Sequence, residues 1–185
     1  MNWQIEPLDA NSHRQREAWR ELAQRTGASV VLHPEFVFTC AETLGNGRLL
    51  FASYGPQEQP LALAIIDLSN RIRPEAFVES QMPLGAWLQV PDSSLDLACD
   101  ALIRHAPLAL QFSIRQLDPR FIQRPEASSR LDTVNYIETA WVETTGIFDE
   151  YWAGRGKNLR TNMKKQRDKL TKQGTTTRME ILTGC

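Results

Sequence analysis

Apolar and polar positions alternate with two different periods along this chain, and the switches between them predict most of its elements. Behind Ser12, a suitable N-cap, Trp19, Leu22 and Ala23 fall on one face at helical spacing, which predicts a first helix over residues 12–24. Gly27 breaks it, and the short apolar run Val30-Val31-Leu32 follows. His33-Pro34 opens a second predicted helix that reaches Leu44, because proline suits the first helical position. Its apolar stripe is Phe36, Val37, Cys40, Ala41 and Leu44, and Gly45-Asn46-Gly47 ends it.

The period then shortens. Residues 48–54 read as a strand, Gly55-Pro56 as a turn, and residues 60–68 as a strand buried on both faces, since that apolar run is continuous. Residues 72–78 form a candidate strand that Pro74 demotes to an edge. Residues 82–87 read as a Gly- and Pro-containing connection ending in an exposed Trp87. Asp92 or Ser93 then caps a third helix running to His105, with Leu95, Leu97, Ala98, Leu102 and Ile103 facing inward. Residues 108–117 predict a strand with Leu110, Phe112, Ile114 and Gln116 on one face, and residues 118–132 a polar loop containing Pro119 and Pro125. Residues 134–142 alternate as a strand, residues 148–153 form a short aromatic helix, and Gly154-Arg155-Gly156 separates it from a basic helix over residues 158–173. Asn158 is a candidate N-cap for that helix; Gly174 stops it, and residues 177–182 read as a last strand. Helices and strands in this order predict an α+β fold.

Composition narrows the class. A chain of 185 residues, 42% hydrophobic and 23% charged, is long enough for one domain, or for one domain and the start of another, and is not disordered in composition. The longest apolar run, Leu61 to Ile66, is too short to span a bilayer, and the N-terminus has no basic region followed by an apolar one. Cys40, Cys99 and Cys185 are scattered and odd in number, which predicts reduced thiols, mostly buried, in a cytoplasmic protein.

Charge is where the chain departs from the ordinary. Between Arg155 and Gln173 eight basic residues face one acid, Asp168, a net of +7 that leaves −8 for the remainder of a chain whose total is −1. Charge so segregated predicts either an anion-handling face or a solvated helix leaning on an acidic body. Leu159, Met163 and Leu170, with Gln166 between, trace a thin apolar seam and leave most of the helix circumference cationic. The absence of any recognisable nucleic-acid module, together with the acidic remainder, disfavours nucleic acid as the partner. Phe148 and Trp152 share a helix face, and with Tyr151 they form either an aromatic support for a ligand or a pin to the core.

No P-loop, GxGxxG, HExxH, paired CxxC or nucleophile elbow occurs, and no metal site is predicted. His13, His33 and His105 are far apart and read as structural or surface residues. The catalytic residues are therefore unknown from the sequence.

The run Phe148-Asp149-Glu150-Tyr151-Trp152, then Lys157-Asn158-Leu159-Arg160-Thr161-Asn162-Met163-Lys164-Lys165-Gln166-Arg167, then Leu170 and Gly174, resembles the junction motif of the acetyltransferase-like proteins related to FemAB, including the CelD-like group of cellulose biosynthesis. The specific part of the resemblance is residues 148–174; upstream, the His-Pro-led helix and the segment Pro60-Leu61-Ala62-Leu63-Ala64-Ile65-Ile66-Asp67-Leu68 fit it loosely. The resemblance implies two tandem GNAT-like folds, each a mixed, largely antiparallel sheet flanked by helices. Residues 1–146 would be the first, and residues 147–185 the junction helices and opening strand of a truncated second. It also implies acetyl-CoA or another acyl-CoA as donor in the full-length parent, with no donor site evident in this chain. Asn158, Arg160, Asn162, Lys165 and Arg167 match the motif and become candidates for acceptor or interdomain contacts. The implied function is N-acylation of an amino group on a cell-surface polysaccharide or peptidoglycan precursor. The implied partners are an anionic small-molecule or glycan acceptor and the protein's own C-terminal domain. A non-catalytic anion- or nucleic-acid-binding domain built on the same helix is the alternative.

Overall fold

A computed structural model of the protein describes residues 2–46, 48–106, 108–127, 130–135 and 145–176. The chain divides into two compact units, Met1–Tyr136 and Ile137–Cys185, and each is described by itself.

The first unit is built on a mainly antiparallel sheet flanked by helices, the α+β class expected. Its elements are β1 (Trp3–Pro7), α1 (His13–Thr26), a 3-10 turn (Val30–Leu32), α2 (Pro34–Leu44), β2 (Leu49–Tyr54), β3 (Ala62–Asp67), β4 (Glu75–Ala76), β5 (Trp87–Gln89) and α3 (Leu95–His105). Strands β1, β2 and β3 pair antiparallel in that order, with Trp3 opposite Tyr54 and Leu49 opposite Asp67. The edge beyond β3 is shared: β4 pairs with Ile66 and Asp67, β5 with Ala62 to Ala64. Strand β1 was not expected, because residues 3–7 are too few to show a period; it is recognised only through its partner.

Strand β3 explains its own continuous apolar run, since its two faces lie in two cores. Leu63 and Ile65, with Leu49 and Phe51, pack under α1 and α2 against Trp19, Leu22, Val37 and Phe38. Ala62, Ala64 and Ile66 face the other way, with Trp3, Tyr54 and Trp87, against Leu95, Ala98 and Leu102 of α3. Small side chains at Ala52, Ala62, Ala64 and Ala76 make room on this second face for two indole rings, Trp3 and Trp87, whose centroids lie 5.5 Å apart. Trp3 Nε1 donates to the Ala98 carbonyl at 2.8 Å and Trp19 Nε1 to the Leu32 carbonyl at 2.8 Å, so both indoles are buried with their polar atoms satisfied.

Helix ends follow local chemistry. Ser12 accepts from the Gln15 amide at the start of α1, and Gly27 closes it at φ +61°. His33 caps α2 with its ring nitrogen accepting from the Glu35 amide, ahead of Pro34. Ser94 caps α3, one or two residues after the expected Ser93 or Asp92, because it is the hydroxyl that reaches the Leu97 amide, at 3.2 Å.

Several expectations need correction. Trp87 is fully buried, not exposed: β5 delivers it into the second core, and a two-Gly/Pro flank concealed a three-residue strand. Leu97 is 61% exposed, because α3 lays Leu95, Ala98 and Leu102 on the sheet and Leu97 points away from that line. Phe36 and Leu44 are likewise on the open side of α2. Residues 108–117 form an irregular edge with one parallel bridge, Ser113 to Glu75, where a strand was expected, and Leu110 is 84% exposed while Phe112 and Ile114 pack against the second core. Residues 134 and 135 lie outside any strand, and the rest of the expected strand 134–142 falls outside the described residues, as does the expected strand 177–182.

In the second unit the described elements are α4 (Phe148–Ala153) and α5 (Lys157–Lys172). No residue of either is buried. Among the described residues no helix is long and apolar enough to cross a membrane.

Candidate functional site

The residues singled out by the basic helix all lie on α5. Its N-cap is Gly156, so Asn158 sits inside the first turn and does not cap, correcting the expectation. Gly174 terminates the helix at φ +70°, as expected, with the Thr175 amide donating back to the Leu170 carbonyl at 3.0 Å. At about 3.6 residues per turn, Asn158, Asn162 and Lys165 form one stripe and Arg160 and Arg167 a second. The seam of Leu159, Met163 and Leu170 runs between them, each residue roughly half exposed. The five polar side chains thus flank an apolar line on both sides rather than converging on one point. None of the ion pairs among the described residues involves α5.

On α4, Phe148 and Trp152 stack at 5.9 Å with their planes 14° apart, and Tyr151 lies 6.3 Å from Phe148. Arg155 follows, its guanidinium 4.2 Å from the Tyr151 ring centre. The aromatic residues make a local cluster in which Phe148 remains 69% exposed.

A second locus lies in the sheet, and sequence reasoning passed it by. At Ile65 the outer pairing passes from one segment to another: the Ile65 carbonyl accepts from Phe77, while its amide donates to the Ala86 carbonyl. The Ala86 amide in turn donates to the Phe77 carbonyl at 2.8 Å, and residues 78–85 are looped out between them. The edge segment 110–117 enters parallel to β4, with the Ala76 amide on the Ser113 carbonyl at 2.9 Å, then reaches the loop where the Gly85 amide donates to the Gln116 carbonyl at 3.3 Å. Any Cβ at Gly85 would lie 2.4 Å from the Arg115 carbonyl oxygen, so this approach requires glycine.

Gln116 has φ +56°, the only non-glycine residue among those described with a left-handed backbone. Its Oε1 is buried and accepts no hydrogen bond among the described residues. It borders a cavity of about 10 Å³ lined by Gly85, Trp87, Leu117, Asp118 and Phe121 among others. Such a space suits about one water, and a buried acceptor beside it is the partner that a water needs. The left-handed backbone and the unsatisfied acceptor coincide where residues 110–117 approach Gly85, and strained positions of this kind cluster at functional sites. A left-handed glutamine has no sequence signature, which is why alternation alone placed Gln116 as an ordinary strand residue.

Next to it, Asp118 accepts from the Arg120 amide at 2.9 Å and from Arg120 Nε at 3.0 Å. The Arg120 side-chain hydrogen bond holds the Asp118 carboxyl below the usual aspartate range, against the opposing effect of burial. The two described cysteines are buried, as expected. Burial, with Asp96 and Asp100 nearby, pushes the Cys99 thiol up to about 12, and burial also raises Cys40; neither is a poised nucleophile. Among the described residues no group of three or more His, Cys, Asp or Glu side chains could hold a metal.

The fold therefore defines an α+β protein with a mainly antiparallel sheet, a split outer strand and one parallel return. No protein-family model matches the chain, and no curated protein matches it. Among solved structures it is similar to the crystal structure of an aminoglycoside 6'-acetyltransferase type Ii, at 11% identity and a TM-score of 0.31. The match covers 55% of this chain and 61% of that one. A likeness this distant carries no assignment of activity.

Proposed function

We propose that this chain is the front part of a GNAT-like N-acyltransferase related to the FemAB and CelD-like proteins. In this reading the sheet unit is the first half-fold, and α4 and α5 lead toward the second. The observation that carries the reading is the order of elements in the first unit. Two helices separate β1 from β2; β2, β3 and the split outer strand form an antiparallel meander; and α3 returns the chain parallel to β4 at Ser113. That is the mixed, largely antiparallel sheet that the sequence resemblance implies. The donor in the complete protein is acetyl-CoA or another acyl-CoA, and the acceptor an amine on an anionic glycan precursor. Transfer requires a deprotonated amine, a positioned acyl carbonyl and a donor for the developing oxyanion. Toward these α5 offers cations, Arg160, Lys165 and Arg167, to hold an anionic acceptor.

The test is thiol release from acetyl-CoA by the product of the complete reading frame, with amino-sugar acceptors varied. Replacing Arg160, Lys165 and Arg167 by Glu is expected to raise the acceptor KM by about tenfold with kcat kept. A reading frame that ends at Cys185, or a complete product that neither binds nor turns over any acyl-CoA, would sink the proposal.

The exposed charge of α5 favours one rival, a non-catalytic module that binds anions or nucleic acid. Its affinity for single-stranded RNA or DNA would fall steeply with salt. A flat response, or no binding at low salt, eliminates that rival.

A further inference from the structure

Among the described residues, the second face of the sheet is only partly covered. Helix α3 lies over Trp3, Tyr54, Ala62 and Ala64, with Trp3 Nε1 bonded to Ala98. At the other end of the strands the same face continues through Ile5, Leu50, Ile66 and Leu68, and there the last turn of α3 and the edge around Phe112 frame a cleft instead of closing on it. The cleft has a volume of about 420 Å³. That is within the range of small-ligand sites, roughly 300–1,000 Å³.

Its chemistry is one-sided. Ten of its twelve lining residues among those described are apolar, and the other two are Arg71 and His105, with no acid among them. Arg71 stands on the turn after β3, where Asn70 Oδ1 accepts from the Ile72 amide at 3.0 Å and the Arg73 amide at 3.1 Å, fixing the backbone on either side. Its guanidinium has no ion pair or hydrogen bond among the described residues. An apolar cleft with an unpaired guanidinium at its mouth is complementary to one kind of molecule, a long apolar body with an anionic head.

We propose that this cleft binds a single-chain aliphatic carboxylate, the alkyl chain lying on Ile5, Leu50, Ile66 and Leu68 and the carboxylate paired bidentate with Arg71, with His105 as a second hydrogen-bonding group. Gln116 does not line the cleft, and the proposal does not depend on the acyltransferase reading. It accounts for an apolar sheet face left open beside a cation that has no other partner in the described structure.

Calorimetric titration of the purified chain tests it with three probes: decanoate, decyltrimethylammonium and acetate. Decanoate is expected to bind at a single site, acetate not measurably, and decyltrimethylammonium at least about tenfold more weakly than decanoate. Arg71→Ala is expected to weaken decanoate by about ten- to hundredfold without changing the circular dichroism spectrum, because Arg71 is exposed and makes no ion pair or hydrogen bond among the described residues. Ile103→Trp, at the rim on α3, is expected to block the cleft and abolish binding. Three results would each overturn the proposal: no decanoate binding at about 1 mM, equal affinity for the cationic and anionic detergents, or undiminished affinity in a folded Arg71→Ala protein.

Discussion

The sheet unit and the α4–α5 segment are both helical in part, yet they are specified by opposite means. In the sheet unit, α1 is anchored by Trp19 and Leu22, both essentially without exposure, and its indole is tied to the Leu32 carbonyl. In α5 no residue is buried, and its seam residues keep 38% to 49% of their surface. The first kind of helix exists because a core needs its apolar face; the second relies on local propensity, a glycine stop and whatever its seam finds to cover it. The contrast places structural necessity in the sheet and available chemistry on α5. It also yields predictions that differ widely in size.

The largest concerns Trp87. It is fully buried and packs 5.5 Å from Trp3 and 6.1 Å from Phe112, so it links β5, β1 and the parallel edge. Trp87→Ala is expected to cost about 3–5 kcal/mol, read as a lowered urea midpoint followed by circular dichroism. A loss below about 1 kcal/mol would mean that the sheet unit is no better specified than α5, and the comparison would fail.

A smaller effect sharpens the same boundary at the edge of the sheet unit. Asp118 holds the turn that brings Phe121 and Ile122 to the second core, accepting from the Arg120 amide and side chain, while the amides of Phe121 and Ile122 donate to its carbonyl. Its carboxyl is lowered in the folded protein, chiefly by the Arg120 hydrogen bond. A lowered folded value means that the stabilisation is present above the ordinary aspartate range and is lost as pH falls through the folded value. Because the pair is exposed at Arg120 and screened by solvent, the effect is expected to be small beside that of Trp87→Ala. Acid titration of stability should be shallower in Asp118→Asn than in the parent; identical curves would show that the turn holds without its carboxylate.

How much of this was readable in the chain follows the same division. Helices α1 and α2 and strand β3 were recognisable because their apolar periods report burial directly, and Ser12, Pro34 and Gly27 punctuate them. Strand β5, with Trp87, was missed because three residues between a glycine and a proline carry no period; its burial comes from pairing with β3, a long-range fact. Gln116 was placed on a strand face by alternation, although its left-handed backbone and its buried acceptor arise from the approach of residues 110–117 to Gly85. The cleft at Arg71 joins residues of three strands, α3 and two connections, and no local pattern announces it. The α5 candidates, by contrast, were visible at once, since exposed charge needs no partner to be read.

The smallest expected effect decides whether α5 stands apart. Its seam is narrow, and its surface carries like-charged neighbours one turn apart, Arg160 with Lys164 and Lys165 with Lys169, against one favourable acid-first pair, Asp168 with Lys172. Each like-charged pair opposes the helix by a few tenths of a kcal/mol, and salt screens that opposition. Leu159→Ala is therefore expected to leave global stability within about 0.5 kcal/mol, since alanine is the better helix former and little burial is lost. Added salt should increase the helical signal of a peptide covering residues 155–175. If Leu159→Ala instead costs about 2 kcal/mol or more, as a covered leucine does, the seam is an occupied interface. The cations flanking it would then be interface residues first and ligand contacts second. If the cost stays small while the Arg160, Lys165 and Arg167 charge reversal raises the acceptor KM, the helix is a binding surface whose fold asks nothing of those residues, and the opposition between the two regions stands.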